Sequence, residues 1–226
     1  PLFINASQIF YVNHKWKDKL LSYNKQLVYL PNGIEKIDIN RHLTRRNKIV
    51  YLGNYGHVYD FKTLFKVLFI LEKHLSQEVE MVFIGSGIQK EYIESMIPKY
   101  SKILITNLGP IDHGKLGTYM KDAKIGIVSL NNNISSLNGA VPNKVYDYLS
   151  FGIEVVALMN SNFPTDIINT NIVYSFSLNS LDEVTKKILS ILNNSPSKLN
   201  DRNLTLLMRS NVNNKIIPVM NRILSD

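Results

Sequence analysis

The sequence predicts an α/β fold in which a doubly wound, mostly parallel sheet of about six strands carries helices on both faces. From residue 48 onward, short apolar runs alternate with stretches of helical periodicity, the pattern of successive strand–helix units. Most of these runs are apolar throughout, as in strands that are covered on both faces. Glycines follow several of them, at the carboxyl ends where parallel sheets of this kind bind ligands. We therefore expect one Rossmann-like domain with its ligand site at this edge of the sheet.

The predicted elements follow from these periodicities and from turn residues. Two apolar runs precede the main alternation, at residues 8–12 and 26–30. The remaining predicted strands are 49–52, 79–84, 103–108, 124–129, 155–159 and 172–176. Helices are predicted at about 14–22, 60–75, 89–97 and 114–123, over about two turns between Pro142 and Gly152, from 180 onward, and at 202–209 and 213–224. Pro218 is expected to interrupt the last of these helices, because proline has no backbone N–H to donate.

The composition bounds the class of protein. With 226 residues the chain can form one large domain or two small ones. It contains no cysteine, which excludes disulfides and thiolate metal sites and favours a reducing compartment. No apolar run approaches the roughly 18 residues that a membrane span requires. The sequence begins at Pro1 without a methionine, so we expect a fragment of a longer protein.

The net charge of +8 is compatible with nucleic acid, an anionic membrane surface or a phosphorylated ligand. The densest basic cluster, residues 41–48, lacks the interleaved aromatic residues of a single-strand binder. Helix-turn-helix and zinc-finger spacings are absent from the sequence, so we expect no nucleic-acid partner. A peripheral contact of this cluster with the inner face of a membrane remains open, as does a solvated loop.

Residues 141–152, Val-Pro-Asn-Lys-Val-Tyr-Asp-Tyr-Leu-Ser-Phe-Gly, form the candidate binding segment. Lys144, Asp147 and Tyr148 are spaced i, i+3 and i+4, which places them on one face of a short helix that ends at Gly152. A helix start attracts anions, and a lysine in its first turn strengthens that attraction. An acid one turn later can accept hydrogen bonds from a sugar diol. The segment therefore predicts a site for a phosphorylated, hydroxylated ligand; the alternative is an ordinary solvated surface helix.

This segment resembles the donor-binding signature of GT-B glycosyltransferases, particularly the retaining family 4 type. Those enzymes carry a Pro-x-Lys-x-x-Glu/Asp-Tyr-x-x-x-Gly pattern that is followed by an apolar strand. Further likenesses occur in the same order along the chain: Pro31-Asn32-Gly33 after a strand, Gly85-x-Gly87, and Leu108-Gly109-Pro110-Ile111. The resemblance covers nearly the whole chain. It implies the C-terminal, nucleotide-sugar-binding half of a GT-B fold.

The resemblance also implies roles for individual residues. The donor diphosphate would be bound by Lys144 and the N–H groups near Asn143, with the loop of Gly53, Asn54 and Gly56 covering the phosphates. Asp147 would accept hydrogen bonds from the ribose. The nucleotide base would contact Gly109, Pro110, Ile111, Gly85 and Gly87. The donor sugar would lie beside Asn138, Gly139, Ala140 and Val141.

Three positions depart from the family pattern. Many members have two glutamates eight residues apart; Asp147 matches the second, but Gly139 stands at the first, which leaves the sugar and the stereochemical outcome open. An Arg and a Lys often follow the first glycine loop of the family. Asn54 and Tyr59 stand at those places here, so Lys144 would carry more of the diphosphate charge.

Two other motifs fail on inspection. Gly85-x-Gly87 lacks the third glycine of a dinucleotide fingerprint, since Lys90 occupies that place. The stretch from Gly109 to Lys115 starts like a P-loop, but Leu116 stands where a Ser or Thr would bind Mg²⁺. There is no Asp-x-Asp metal motif. We expect no metal and no cofactor, with a UDP- or GDP-sugar as substrate.

The expected organisation is a single nucleotide-sugar-binding domain over residues 1–226. Residues 1–30 would be the tail of an interdomain crossover and the first strand, and residues 200–226 would reach an absent N-terminal domain that supplies the catalytic residues. The whole enzyme would transfer a sugar to a polysaccharide or lipid-linked acceptor, as in bacterial capsule or lipopolysaccharide synthesis, in the cytoplasm or peripherally on the inner membrane face. The fragment alone would be inactive. The alternatives are a nucleotide-sugar epimerase of the same architecture and a non-catalytic nucleotide- or polyanion-binding module.

Overall fold

The computed structural model describes residues 5–23, 26–40, 42–131, 141–160 and 162–225. Eight strands lie in these ranges: β1 (Ile9–Tyr11), β2 (Leu27–Tyr29), β3 (Lys48–Leu52), β4 (Val79–Ile84), β5 (Ile103–Asn107), β6 (Ile125–Ser129), β7 (Glu154–Leu158) and β8 (Val173–Phe176). The α-helices are α1 (Lys17–Leu21), α2 (Phe61–Lys73), α3 (Lys90–Met96), α4 (Leu116–Met120), α5 (Asn143–Ser150), α6 (Thr165–Ile168), α7 (Leu181–Asn193), α8 (Asp201–Leu206), α9 (Arg209–Asn213) and α10 (Ile217–Ser225). Short 3₁₀ helices precede α1 and α4 and follow α3.

The main sheet has six strands in the order β5-β4-β3-β6-β7-β8, and every neighbouring pair is parallel. From the central pair β3 and β6, the chain winds outward to β5 on one side and to β8 on the other. The strand order therefore reverses between β3 and β6, and ligands of open α/β sheets bind at the carboxyl ends of strands at such a switch point. The predicted fold class is confirmed.

The central strands are buried along their whole length. All five residues are buried in each of β3, β6 and β7, as the continuous apolar runs predict. Separate apolar cores cover the two faces of the sheet. Tyr148 and Leu149 of α5 belong to one core, whereas Phe61 and Phe65 of α2 belong to the other together with residues of α7. Helices on both faces thus complete the doubly wound arrangement.

The first two strands form a small sheet of their own. β1 and β2 pair in parallel, with Ile9 opposite Leu27. The C-terminal helix α10 is bonded to this sheet, because Arg222 Nη2 donates to the side-chain oxygens of Gln8 and Gln26, at 2.8 Å in both cases. The division into crossover and partner-facing segments remains a prediction.

The C-terminal helices differ from the expected pair. Residues 201–225 contain three short helices, α8 to α10. Pro218 is the second residue of α10, so it begins this helix instead of interrupting one. A proline in the first turn costs no hydrogen bond, because the N–H groups there have no partner within the helix.

The basic cluster is largely engaged in internal bonds. Arg45 donates to the main-chain oxygens of Ala123 and Phe151. Arg46 pairs with Glu80 at 2.8 Å and with Asp122 at 2.5 Å, and the buried Lys48 pairs with Asp122 at 2.5 Å. These side chains tie the entry of β3 to the elements beside it. No helix of the described ranges has both the length and the apolar content needed to cross a bilayer.

Candidate functional site

Three loops meet at the carboxyl ends of β3, β4 and β5. Gly53 N donates to the Ile84 oxygen, Gly85 N to the Gly109 oxygen and Tyr55 N to the Ser86 oxygen, each at 2.8 Å. Main-chain hydrogen bonds therefore link each loop to its neighbour. This edge of the sheet is the one that the glycine positions predict as the ligand side.

Gly85 and Gly87 are required by the neighbouring loop. Both have positive φ, +145° and +154°. A Cβ on Gly85 would lie 1.9 Å from the Gly53 carbonyl oxygen, and one on Gly87 would lie 2.6 Å from Asn54 Oδ1. The space that a side chain would need is thus filled by residues 53–55. A contact of these two glycines with a nucleotide base stays a prediction.

Gly109 is in a different environment. It also has positive φ, +72°, but no atom lies within 4 Å of the position that its Cβ would take. Its N–H donates to Asn107 Oδ1 at 3.3 Å, and this oxygen also accepts from Tyr55. Pro110 is exposed and Ile111 packs against the core. The predicted base site therefore has open space beside an anchored main chain.

Helix α5 is fixed on the sheet by Tyr148. The buried Tyr148 hydroxyl accepts a hydrogen bond from Leu52 N at 2.9 Å and donates to the Ile127 oxygen at 3.2 Å. It therefore connects α5 to both β3 and β6, the two strands at the switch point. The helix begins after the extended Pro142, whose φ of −60° suits a helix entry. The predicted helix is confirmed, although its first turn is more buried than a solvated surface helix would be.

Lys144 extends from the first turn of α5 into an aromatic enclosure. Its Nζ lies 3.7 Å from the ring centroid of Tyr51 and 3.8 Å from that of Tyr59, and we call these two residues the tyrosine cage. Only 5% of the lysine is exposed, and no described residue accepts a hydrogen bond from its ammonium. A Cβ on Gly53 would lie 3.6 Å from Nζ, so the ammonium lies directly against the first glycine loop.

The charge of Lys144 is poorly solvated. Burial lowers its pKa well below the usual value, and the nearby Asp147 carboxylate opposes this only in part. A buried polar atom without a partner is uncommon in folded proteins. Such an ammonium is able to bind an anion with oxygen acceptors, because its three N–H donors lack partners among the described residues and its charge is only partly compensated.

Asp147 faces another side of α5. It lines a groove of about 770 Å³ between α5, the start of α4 and residues 32–38. Asp147 Oδ1 lies 3.7 Å from His113 Nε2. Burial raises the pKa of the Asp147 carboxyl, while His113 and Lys144 act in the opposite direction. Asn143, Tyr146 and Ser150 of α5 line the same groove, together with Lys121.

The structure brings some predicted site residues together and separates others. The Lys144 ammonium lies beneath Gly53, whereas Asp147 and Asn143 open onto the groove. Asn143 Oδ1 is already bonded to Asn32 Nδ2, at 2.6 Å.

Asn54 and Gly56 lie in the first glycine loop, after β3. The Asn54 main-chain oxygen accepts from Tyr51, and a Cβ on Gly56 would lie 3.3 Å from Asn54 Oδ1. Val141 packs against the core, while Asn138, Gly139 and Ala140 lie outside the described residues. The sequence analysis did not assign Tyr51 to the site. The sequence did contain one indication, since Tyr59 stands where the family often has a basic residue that binds the diphosphate.

Fold and site together define a class of protein: an α/β domain with a buried lysine beside the switch point of a parallel sheet. The model of the family Glycosyl transferases group 1 matches residues 34–203, and the chain belongs to this family. No curated protein matches the sequence. The domain has the fold of the Rossmann-like halves of GT-B glycosyltransferases.

Solved structures of the same fold are similar over most of the chain. A mutant of S. aureus TarM in complex with fondaparinux, α-GlcNAc-glycerol and UDP has 16% identity and a TM-score of 0.65, over 93% of this chain and 40% of that one. The pneumococcal O-GlcNAc transferase GtfA in complex with UDP and GlcNAc has 12% identity and a TM-score of 0.69, over 99% and 47%. WaaG, a glycosyltransferase involved in lipopolysaccharide biosynthesis, has 13% identity and a TM-score of 0.60, over 91% and 57%. This chain thus spans less than two thirds of the length of each.

Proposed function

We propose that this chain is the donor-binding domain of a glycosyltransferase that moves a sugar from a nucleoside diphosphate to an acceptor hydroxyl. The observation that carries the proposal is the buried ammonium of Lys144, which donates a hydrogen bond to no described residue and whose charge is only partly compensated. It lies in the first turn of a helix at the switch point of the sheet, where N–H groups and the helix dipole also favour an anion. A diphosphate supplies the oxygen acceptors that this arrangement lacks.

The geometry around α5 supports the remaining donor contacts of the proposal. Asp147 would accept from the ribose hydroxyls, since its carboxylate faces an open groove in which His113 Nε2 lies 3.7 Å from it. The base would lie beside Gly109, where space is open. UDP is present in the TarM and GtfA complexes, which supports a UDP-sugar before a GDP-sugar.

The proposal also covers the acceptor of the sugar. Because the chain spans only part of its structural neighbours, we propose that a further domain supplies the acceptor site and the catalytic residues. A lipid-linked or polysaccharide acceptor is supported by the role of WaaG in lipopolysaccharide biosynthesis. A cytoplasmic location with peripheral membrane contact remains a prediction, and residues 45, 46 and 48 are already bonded internally.

Metal-independent transfer is also part of the proposal. The leaving diphosphate gains negative charge as the glycosidic bond breaks, and a preorganised positive group stabilises that charge. Lys144 and the start of α5 would supply it here. Addition of EDTA should then leave transfer by the whole enzyme unchanged.

A donor screen by thermal shift tests the proposal, because a ligand that binds the folded state raises the unfolding temperature, and more so the tighter it binds. UDP-, GDP-, ADP- and CMP-sugars are compared on the wild-type chain and on Lys144→Met, with Lys66→Met on the exposed side of α2 as the matched control. We expect one nucleotide class to stabilise the wild type and the control but not Lys144→Met. Stabilisation by none of them would remove the proposal. Binding lost equally in all three proteins on adding salt would instead indicate a polyanion-binding module.

A further inference from the structure

Tyr59 provides one wall of the tyrosine cage around the Lys144 ammonium. Its ring also meets Tyr51 edge-on, with centroids 5.8 Å apart and an interplanar angle of 88°. We propose that Tyr59 is a positioning residue, which keeps the Lys144 ammonium dehydrated beneath Gly53 and thereby sets the pH range over which the domain binds a nucleoside diphosphate. This inference rests on the proposed function of the site.

The backbone holds the ring of Tyr59 in place. Tyr59 N donates to the Gly56 main-chain oxygen at 3.1 Å. The main-chain oxygen of Tyr59 accepts from Gln89 Nε2, also at 3.1 Å. A bridge to Leu130 joins the same residue to the end of β6. The ring therefore belongs to a loop that is tied to two neighbouring segments. Its position over the lysine is part of the folded structure.

A ring face and a carboxylate affect an ammonium differently. The face of an aromatic ring attracts a cation but accepts no conventional hydrogen bond. Lys144 thus gains partial compensation of its charge from Tyr51 and Tyr59 while its N–H donors stay available. A carboxylate in the same place would bond those donors and compete with a phosphate. The tyrosine cage therefore suits a lysine whose partner is an incoming anion.

Few other charged groups face this ammonium among the described residues. From its own helix Asp147 acts on it, and His113 acts on Asp147 in turn. The tyrosine cage itself remains neutral, since burial raises the pKa of both phenols. Exclusion of water is the main cause of the lowered pKa of Lys144. Only the protonated lysine attracts a diphosphate, so binding is present below that pKa and is lost as the pH rises through it.

Two substitutions of Tyr59 distinguish the effect of its ring from that of its hydroxyl group. Tyr59→Phe keeps the ring face and should leave the titration of Lys144 unchanged. Tyr59→Ala lets water reach the ammonium, and because water solvates an ammonium better than a ring does, the pKa of Lys144 should rise towards its usual value. Carbon-13 NMR of lysine-labelled protein without ligand measures this, with the Lys144 signal assigned by its loss in Lys144→Met. Thermal unfolding verifies that both variants are folded.

The same variants are then tested for binding of UDP-glucose by calorimetry across the pH range. In Tyr59→Ala the upper pH limit of binding should move up with the lysine titration. At lower pH its affinity should fall about two- to fivefold, because one cation–π contact that orients the ammonium is lost. Tyr59→Phe should match the wild type in both respects. A uniform loss at every pH, with no shift of the limit, would make Tyr59 merely structural and would overturn the proposal.

The two proposals fail in different ways. If the wild type binds neither UDP-glucose nor GDP-mannose, the proposed function is wrong, while the titration without ligand still decides the role of the tyrosine cage. If nucleotides bind but Tyr59→Ala leaves the pKa of Lys144 unchanged, the positioning role is wrong and the donor site remains.

Discussion

The ring of Tyr148 lies directly on the backbone of Gly126. A Cβ on Gly126 would come within 2.3 Å of Tyr148 Cγ, so only glycine allows this approach. The contact lets the Tyr148 hydroxyl reach the main chain of two strands and brings the first turn of α5 close to the end of β3. The location of Lys144 beneath Gly53 therefore depends on a glycine in strand β6.

Replacing Tyr148 by Phe should lower stability by about 1–3 kcal/mol, the cost of leaving a buried N–H without its acceptor. The N–H of Leu52 loses its partner in this variant, and so does the Ile127 oxygen. Chemical denaturation of the two proteins measures the difference. Equal unfolding midpoints would show that these two bonds do not fix α5.

Replacing Lys144 by Met should stabilise the unliganded chain by roughly 1–2 kcal/mol, because a buried and unpartnered polar group is removed. Since burial lowers the lysine pKa in the folded state, the unfolded chain binds more protons, and wild-type stability rises with pH between the two values. The advantage of the variant should thus shrink as the pH rises. Thermal unfolding at several pH values tests this. A less stable variant at every pH would contradict it.

The same substitution should weaken binding of a nucleoside diphosphate by about 1–3 kcal/mol, the scale of a hydrogen bond to a charged group. Stability and binding would then change in opposite directions at one residue, as expected when a functional group costs stability. Calorimetry with UDP gives the binding change, and Lys66→Met serves as the control. Unchanged affinity in Lys144→Met would place the diphosphate elsewhere.

Replacing Asp147 by Asn should weaken nucleotide binding and remove its acid limit. Burial raises the pKa of this carboxyl, so the wild type should lose binding as the pH falls through that raised value. The protonated acid accepts hydrogen bonds from ribose hydroxyls less well than the carboxylate. The Asn variant has no such transition. Binding profiles of UDP from neutral to acid pH test both points, and an acid limit that persists in Asp147→Asn would assign it to another group.

Gly85→Ala and Gly109→Ala form a matched pair of substitutions at positive φ. For Gly85 the new Cβ would overlap the Gly53 oxygen, so we expect a loss of roughly 3 kcal/mol or more from overlap and backbone strain. For Gly109 the space is open, and only the strain of about 1–2 kcal/mol applies. Denaturation measures both. Equal losses would mean that the contact between the loops contributes little.

The fold was predictable because burial on both faces leaves a strong trace in sequence. Strands β3, β6 and β7 are mostly apolar in sequence, and the helices between strands have apolar residues at regular spacing. The start of α5 was predictable from Pro142 and the end of its helical pattern from Gly152. Such signals are local, so they survive without knowledge of the tertiary structure.

The tyrosine cage was not predictable in this way. Tyr51 reads as an ordinary strand residue, and its contact with Lys144 arises only when α5 packs across the ends of β3 and β6. From sequence alone, a lysine in the first turn of a helix is expected to be exposed, whereas tertiary packing buries Lys144. The internal pairing of Arg46 and Lys48 has the same cause, since their carboxylate partners come from distant segments.

The glycine-rich edge of the sheet has a consequence for the energetics of recognition. Main-chain hydrogen bonds already connect the turns after β3, β4 and β5 in the structure without ligand. Gly53 is bonded to Ile84, and Gly85 is bonded to Gly109. Under the proposed function, a nucleotide that binds there would require little ordering of the backbone, so less of the interaction energy would be spent on restricting motion. Differences in affinity between donors should accordingly reflect how well each donor fits these turns, and not how much backbone each donor orders.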